Sequence, residues 1–491
     1  MNRADLVAVL PEVILLAGAL AVVTLAVFAD RPRAEWGTAA GLALFLAGVA
    51  AGVQWWALGD TPGSLHFSAR GLEVLRNPMV VMDPYSALAG IAICVVGLLG
   101  LLAAWELVGS LGRRGPEFVA LLLLAVAGLH AMTIAANLVL LFLALETASI
   151  SFYVMAGFTR ERLDADEAAL KYFLLGSFAS AIFVYGVALL FAATGALGIY
   201  GAGGLRSFFA TTIVVEPGVL VVALGMLLVG FGFKVSAAPF HQWAPDVYQG
   251  APSGAVGLMA AGVKLAGFLA LGRVFAAGLP AQIDRWSSAV AILAGVSVIV
   301  GSVLAAVQRD VKRLLAYSGV AHAGYVLVGL TVGVFGLPAV TFYATTYAVM
   351  LMGAFALVGA VSGSGGGASP FEDWAGLGRR APGLALAMTA LLLGLGGLPF
   401  TAGFVGKLQV FTAAIRGGFL WLVVLALVTT VVGLYFYLRV VATMYFDDGE
   451  GAVAATPWTT RVVVGVAVVV TLALGIFPWP YLDVVRDALP L

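Results

Sequence analysis

Five lysines occur in this chain, and four of them, Lys171, Lys234, Lys264 and Lys407, fall inside apolar runs. The twenty arginines instead read as lying at the ends of such runs or between them. A charge at the centre of a bilayer costs at least ~2.5–3.5 kcal/mol, so four such residues need a reason. Burial lowers the pKa of a lysine by up to ~3–5 units, whereas an arginine keeps its charge. The partition therefore selects the basic side chain that can bind and release a proton away from water. Among the acids, Glu146 stands out within the run from Leu140 to Leu145 and beyond. A carboxylate there is expected to be protonated or paired, and pairing with Lys234 or Lys171 would couple the charge states of the two. His322, within Ser318 to Tyr325, titrates in the neutral range and suits a relay.

Each of these residues also has a static reading. Lys171 lies four residues after Glu167 and can snorkel or form an i,i+4 pair. Lys234, Lys264, Lys407 and Glu146 can be fixed ion-pair partners, and His322 a packed histidine. Of the other histidines, His66 is placed in a loop, His130 in a helix as a packed residue, and His241 just after Pro239. The single cysteine, Cys94, reads as apolar filler; it rules out an intramolecular disulfide, a Cys-rich metal site and a Cys-held iron–sulfur cluster.

Two of the lysines sit beside interrupted helices. One interruption spans Phe231 to Pro245, with Pro239 in its middle; the other spans Gly396 to Lys407, with Pro399. Proline removes a donor and clashes with the carbonyl four residues back. Irregular backbone at membrane depth is tolerated only around protein-buried or watery cavities. A plain proline kink is the simpler alternative. The comparable placement of the two breaks in two five-helix stretches points to an internal repeat of transporter type.

The elements that must carry these residues are transmembrane helices. Hydrophobic residues make up 62% of the 491, charged residues only 10%, and the mean hydropathy is +1.07. That much apolar surface requires lipid as solvent. Spans are expected near 6–28, 36–58, 84–104, 117–135, 138–158, 168–194, 218–238, 254–276, 287–307, 313–333, 338–362, 383–399, 419–445 and 461–478, about fourteen in all. The runs are continuous and do not alternate, so the fold class is all-α and polytopic, not a barrel. Residues 6–28 are too long for a cleaved signal and read as the first span. The longest loops are expected near 59–83, 195–217 and 363–382, and Ser362 to Gly367 as a flexible tether. Arginines and lysines are more numerous in the loops containing Arg31, Arg113, Arg160, Lys312, Arg379 and Arg461 than in those on the side of the termini. The bias puts those loops in the cytoplasm and both termini on the outer, periplasmic side. Net charge is zero, which gives no sign of a nucleic-acid partner.

Several stretches resemble subunit N of bacterial proton-translocating NADH-quinone oxidoreductase, respiratory complex I. They are Phe233-Lys234-Val235-Ser236, Pro239-Phe240-His241-Gln242-Trp243, Asp246-Val247-Tyr248-Gln249-Gly250-Ala251-Pro252, Val311 to Ser318, Gly403 to Lys407 and Tyr435 to Val440. The resemblance implies fourteen helices in a single membrane domain. Three N-terminal helices would occupy 1–105, two inverted five-helix repeats 117–276 and 287–445, and a C-terminal helix 461–491, with helices seven and twelve broken. It implies a proton path through Glu146, Lys171, Lys234, Lys264, His322 and Lys407. The related M type carries glutamate where Lys407 stands, and the chain ends too soon for the long lateral helix of the L type.

A chain of this family would reside in the bacterial cell membrane and translocate protons without redox chemistry of its own. No cofactor is expected in it; NADH, flavin, iron–sulfur clusters and quinone would belong to other subunits. Its partners would be other membrane-arm subunits, including related antiporter-like ones, besides the lipid bilayer. Two other functions compete: a stand-alone or multi-component cation/proton antiporter, and a scaffold whose buried lysines tolerate neutral replacement.

Overall fold

The computed structural model describes residues 3–28, 33–58, 78–159, 162–212, 217–363, 365–449 and 455–489. Most of the 59–83 loop, with His66, and Arg31, Arg160 and Ser364 lie outside the described residues. Where the chain is described it is built of helices. In chain order the principal ones are α1 (Leu10–Phe28), α2 (Arg33–Leu58), α3 (Pro84–Ala103), α4 (Gly115–Ile134), α5 (Leu138–Ala156), α6 (Leu163–Thr194) and α7 (Pro217–Val235). They continue with α8 (Ser253–Gly278), α9 (Ile283–Ala306), α10 (Val311–Leu330), α11 (Leu337–Ser362), α12 (Pro382–Gly396), α13 (Ala402–Arg416), α14 (Leu420–Phe446) and α15 (Trp458–Ile476).

Twelve of these are long and apolar enough to cross a membrane. The three others are α10, whose first turn carries Lys312 and Arg313, and α12 and α13, 15 residues each and separated by the second break. Large apolar side chains such as Leu20, Phe28, Phe178 and Val431 point outward, as lipid-facing residues do. The polar residues lie inward: α8 is buried along its whole length at the centre of the molecule. It winds as an α-helix at Ser253–Leu258 and Lys264–Leu271 and as a π-helix at Met259–Val263 and Gly272–Gly278.

Two tight hairpins position the chemistry. α4 packs on α5 and α9 packs on α10. At each contact a glycine lets the backbones meet. A Cβ on Gly128 would lie 2.5 Å from the amide nitrogen of Ala148, and one on Gly301 would lie 2.3 Å from that of Ala321. Ala148 precedes Ser149 and Ala321 precedes His322, so both contacts fix polar positions of the interior.

The stretch after α11 departs from the expected tether. Arg162 donates to the carbonyl of Gly366 at 2.6 Å and Thr159 to that of Gly365 at 3.2 Å. Glycines there supply backbone at positive φ, and the neighbouring loop before α6 holds it down.

Candidate functional site: a buried row of lysines, tyrosines and histidine

The first broken helix begins the row. α7 ends at Val235, Ser236 takes φ 59°, and the chain resumes as a short helix at Ala244–Gly250. The freed amide of Ala238 finds Ser297 Oγ of α9 at 2.9 Å, so the second half of the molecule satisfies a break in the first. Lys234, in the last turn of α7, is buried and donates to Ser149 Oγ of α5 at 2.6 Å. Its ammonium also lies 5.7 Å from the centre of the Tyr153 ring. Glu146, Ser149 and Tyr153 are at i, i+3 and i+7 of α5 and share one face. Glu146 accepts a hydrogen bond from Ser180 of α6 at 2.5 Å and forms no ion pair with Lys234.

Lys264 comes next, on α8. A Cβ on Gly267, one turn along, would lie 3.0 Å from Val235 of α7, which brings the two lysine-bearing helices into contact. Lys264 is buried and its Nζ has no hydrogen-bond partner among the described residues; neither has the hydroxyl of Tyr347 on α11. Both groups converge on Gly319 of α10, where a Cβ would lie 2.2 Å from Lys264 Nζ and 3.0 Å from Tyr347 Oη. The Tyr347 ring stacks on His322, centroids 4.6 Å apart.

His322 is buried and held by two tyrosines, with Nδ1 3.0 Å from Tyr343 Oη and Nε2 3.2 Å from Tyr437 Oη. Tyr437 also meets Ser318 Oγ. Ser318, His322 and Tyr325 follow one another at i, i+4 and i+7 of α10. Tyr325 leads to Lys407 of α13, whose ammonium lies 4.7 Å above the Tyr325 ring. Lys407 Nζ donates to the carbonyl of Gly396 at 2.9 Å, the last residue of α12 at the second break. The structure thus brings Lys234, Lys264, His322 and Lys407 into one buried row, with Glu146 at its first end.

Lys171 is elsewhere. It is half-exposed and pairs with Glu167 and with Asp246, both at 2.6 Å; Asp246 also binds Arg313 at 2.7 Å. The reason is length. α6 has 32 residues, and at ~1.5 Å per residue that exceeds a hydrocarbon core of ~30 Å, so its acidic first turns and Lys171 lie at the helix end. Asp246 lies in the short helix beyond the first break, outside the twelve spans. Burial opposes its charge, but the hydrogen bonds and charges of Lys171 and Arg313 hold its carboxyl below the usual carboxylate range.

Three buried groups escaped the sequence reading. Arg273, expected at a span end, is 1% exposed inside the second π turn of α8 and pairs with Asp83, the N-cap of α3. Lys312, expected in a loop, is buried in the first turn of α10. His130 is not merely packed: its Nδ1 lies 2.5 Å from Glu12 of α1. The available signal for Arg273 was its apolar flanks, Phe268 to Leu271 and Val274 to Ala277.

Residues 135–433, which contain Glu146, Lys234, Lys264, His322 and Lys407, match the family model described as NADH:quinone oxidoreductase/Mrp antiporter, transmembrane. The chain belongs to this family. NADH-quinone oxidoreductase subunit N of Mycobacterium tuberculosis is 42% identical over 386 residues, 77% of this chain and 72% of that protein. A subunit N of Solibacter usitatus is 37% identical over 404 residues, 82% of each chain. Among solved structures, a chain of Thermus thermophilus respiratory complex I with bound aureothin is 35% identical and superposes with a TM-score of 0.79 over 97% of this chain and all of that one. A chain of the Mrp complex of Dietzia shares the fold, with a TM-score of 0.84 at 20% identity, over 99% of this chain and 97% of that one. The antiporter fold of the family thus extends beyond the matched segment, over α1 to α15.

Proposed function

We propose that this chain is an antiporter-like membrane-arm subunit of an NADH-quinone oxidoreductase and moves protons across the membrane along Lys234, Lys264, His322 and Lys407, gated by Glu146. The observation that carries this reading is the row itself: three buried lysines and a histidine, linked by tyrosines, with no carboxylate among the described residues bound to any of the four. A static ion-pair network would put an acid against each cation. Here the partners are hydroxyls, a backbone carbonyl and aromatic faces, which stabilise an ammonium without fixing it.

Counting α10 and the broken pair α12 and α13 as one span each gives fourteen. α4 to α8 and α9 to α14 then form two inverted five-helix repeats. On this reading the chain lies in the bacterial cell membrane with its termini on the outer side, and neighbouring membrane-arm subunits contribute similar rows. NADH oxidation and quinone reduction belong to other subunits. Water-filled half-channels reach Lys234 and Lys407 from opposite sides, and Lys264 with His322 connects them. Glu146 raises the proton affinity of Lys234 when close and releases it when distant. One charge moved uphill costs ~2.3 kcal/mol per 100 mV, of the order of one to two pKa units at ~1.4 kcal/mol each.

Lys234→Ala tests the proposal in inverted membrane vesicles. Proton uptake driven by NADH is expected to be lost or strongly reduced at equal abundance of assembled complex. Normal pumping at that abundance would end the relay role and favour the scaffold.

A further inference from the structure

Among the described residues two buried charge pairs lie outside the lysine row, and they differ in how fully they are satisfied. Arg273 is closed. Its Nη1 and Nη2 reach Asp83 at 2.8 and 2.9 Å, its Nε donates to the carbonyl of Thr133 at 2.8 Å, and Tyr200 Oη lies 3.3 Å from Nη1. Asp83 also accepts the amide of Ser86 at 2.7 Å. A guanidinium does not give up its proton, and no site on this pair is left for another. It is a fixed tie between α8, α3 and the end of α4.

Glu12 and His130 are open. Glu12 is 8% exposed, and His130 is completely buried. Oε1 and Nδ1 meet at 2.5 Å, yet Oε2 of the acid and Nε2 of the ring are both buried with no hydrogen-bond partner among the described residues. Nε2 is aimed at Gly90 of α3, where a Cβ would lie 2.3 Å from it and 3.1 Å from Ala51 of α2. The site therefore sits where α1, α2, α3 and α4 meet, and the absence of a side chain at position 90 makes the room that the ring nitrogen occupies. Of the other polar groups on these helices, α3 brings Cys94 within reach of the charge of Glu12, and α2 turns Gln54 to the carbonyls of Val7 and Ala8.

We propose that Glu12 and His130 form a second proton-holding site, off the lysine row, which exchanges one proton during turnover. With its proton on Nδ1, donated to the carboxylate, the pair carries one negative charge. A proton arriving at Nε2 forms an N–H bond there and makes the imidazolium. The Nδ1–H bond can then break as an O–H bond forms on Oε1, giving a carboxylic acid and a neutral imidazole protonated at Nε2. Both protonated forms are neutral overall, which a buried site favours over a net charge. Loss of the proton restores the first state, and no other reactant is needed. A purely mechanical tie between α1 and α4 requires only the Oε1–Nδ1 contact; it gives no role to two further buried polar atoms.

The inference rests on the proposed proton-moving function, and the test separates the two. Protons moved per NADH oxidised are measured in vesicles holding the complete complex, with Lys234→Ala alongside. Glu12→Gln is expected to lower that ratio, and the swap of Glu12→His with His130→Glu to recover it, because the swap keeps an acid facing an imidazole. A full ratio in Glu12→Gln, with pumping lost in Lys234→Ala, overturns this site and leaves the row intact. A loss in Glu12→Gln that is cured by the uncharged pair Glu12→Gln with His130→Gln overturns it as well, since packing alone then suffices. If Glu12→Gln does not assemble, the swap decides: a full ratio in the assembled swap supports the site, and a reduced one overturns it.

Discussion

The two broken helices hold their lysines by different means. At the first break Lys234 is bound by side chains: Ser149 takes its proton donor, Tyr153 lies beside it, and Glu146 stands one turn before Ser149 on the same face of α5. At the second break Lys407 is bound by the break itself, through the carbonyl of Gly396, with Tyr325 beneath it and no acid bound among the described residues. Even the carbon chain of Lys407 fits the backbone there. A Cβ on Gly397, which has φ 82°, would lie 2.9 Å from its Cδ. On the proposed mechanism the first lysine is tuned by a carboxylate on a separate helix, and the second is held by the geometry of the interrupted chain. On that mechanism one end of the row is regulated and the other constant.

The comparison is broken most directly at its constant end. Lys407→Arg keeps the charge but not the ability to release a proton, so pumping by assembled complex should fall to near the level of a lysine deletion. Arginine working as well as lysine would mean that the site needs only static charge. At the regulated end, Glu146→Gln should impair turnover strongly, while Glu146→Asp retains part of it, because the charge persists one methylene further back. If Glu146 acts through Lys234, Glu146→Gln combined with Lys234→Met should lose little beyond the worse single variant. Losses that multiply, measured as pumping rate at equal abundance, would show two independent residues.

A smaller effect is expected from Ser149→Ala. It removes a neutral acceptor from a charged donor, a bond worth ~1.5–3 kcal/mol, so pumping should drop roughly tenfold while Glu146 and Lys234 stay in place. No change would show that Ser149 is a bystander. The smallest effect concerns Asp246, which joins α6 to α10 through Lys171 and Arg313 just beyond the first break. Its carboxyl is held below the usual range, so the tie is fully formed above the ordinary carboxylate pKa of ~3.9 and is lost as pH falls through the lower folded-state value. Asp246→Asn should lower the thermal stability of the purified complex modestly, by the same amount from about pH 8 to about pH 6, with the difference shrinking only in strong acid. A difference that vanishes near neutrality would assign the effect to another group.

Hydropathy located the spans, and the lysine–arginine partition located most of the row, because both are properties of a single segment. Lys234, Lys264, His322 and Lys407 are buried where their apolar surroundings said, and Pro239 and Pro399 mark the interruptions. What escaped was pairing between segments. Lys171 looks like the other lysines until Asp246, 75 residues away, is brought beside it. Glu12 and His130 are 118 residues apart, and neither announces the other. Arg273 reads as a span-end residue because its span is expected to stop at 276, whereas the π turn carries the buried helix on to Gly278. Depth along one helix is written locally; the partner at that depth is set by which helices pack together.

The π turns of α8 also decide how this helix tolerates changes in length. A wide turn absorbs one extra residue locally, so removing a residue from Met259–Val263 relaxes that turn to an α turn and leaves the flanking register intact. The same deletion between Lys264 and Leu271, where there is no slack, rotates everything beyond it by about 100°. Arg273 would swing away from Asp83, and the tie from α8 to α3 and α4 would part. Two deletions only a few residues apart would therefore differ in outcome, one silent and one ruinous, although neither removes a titratable side chain.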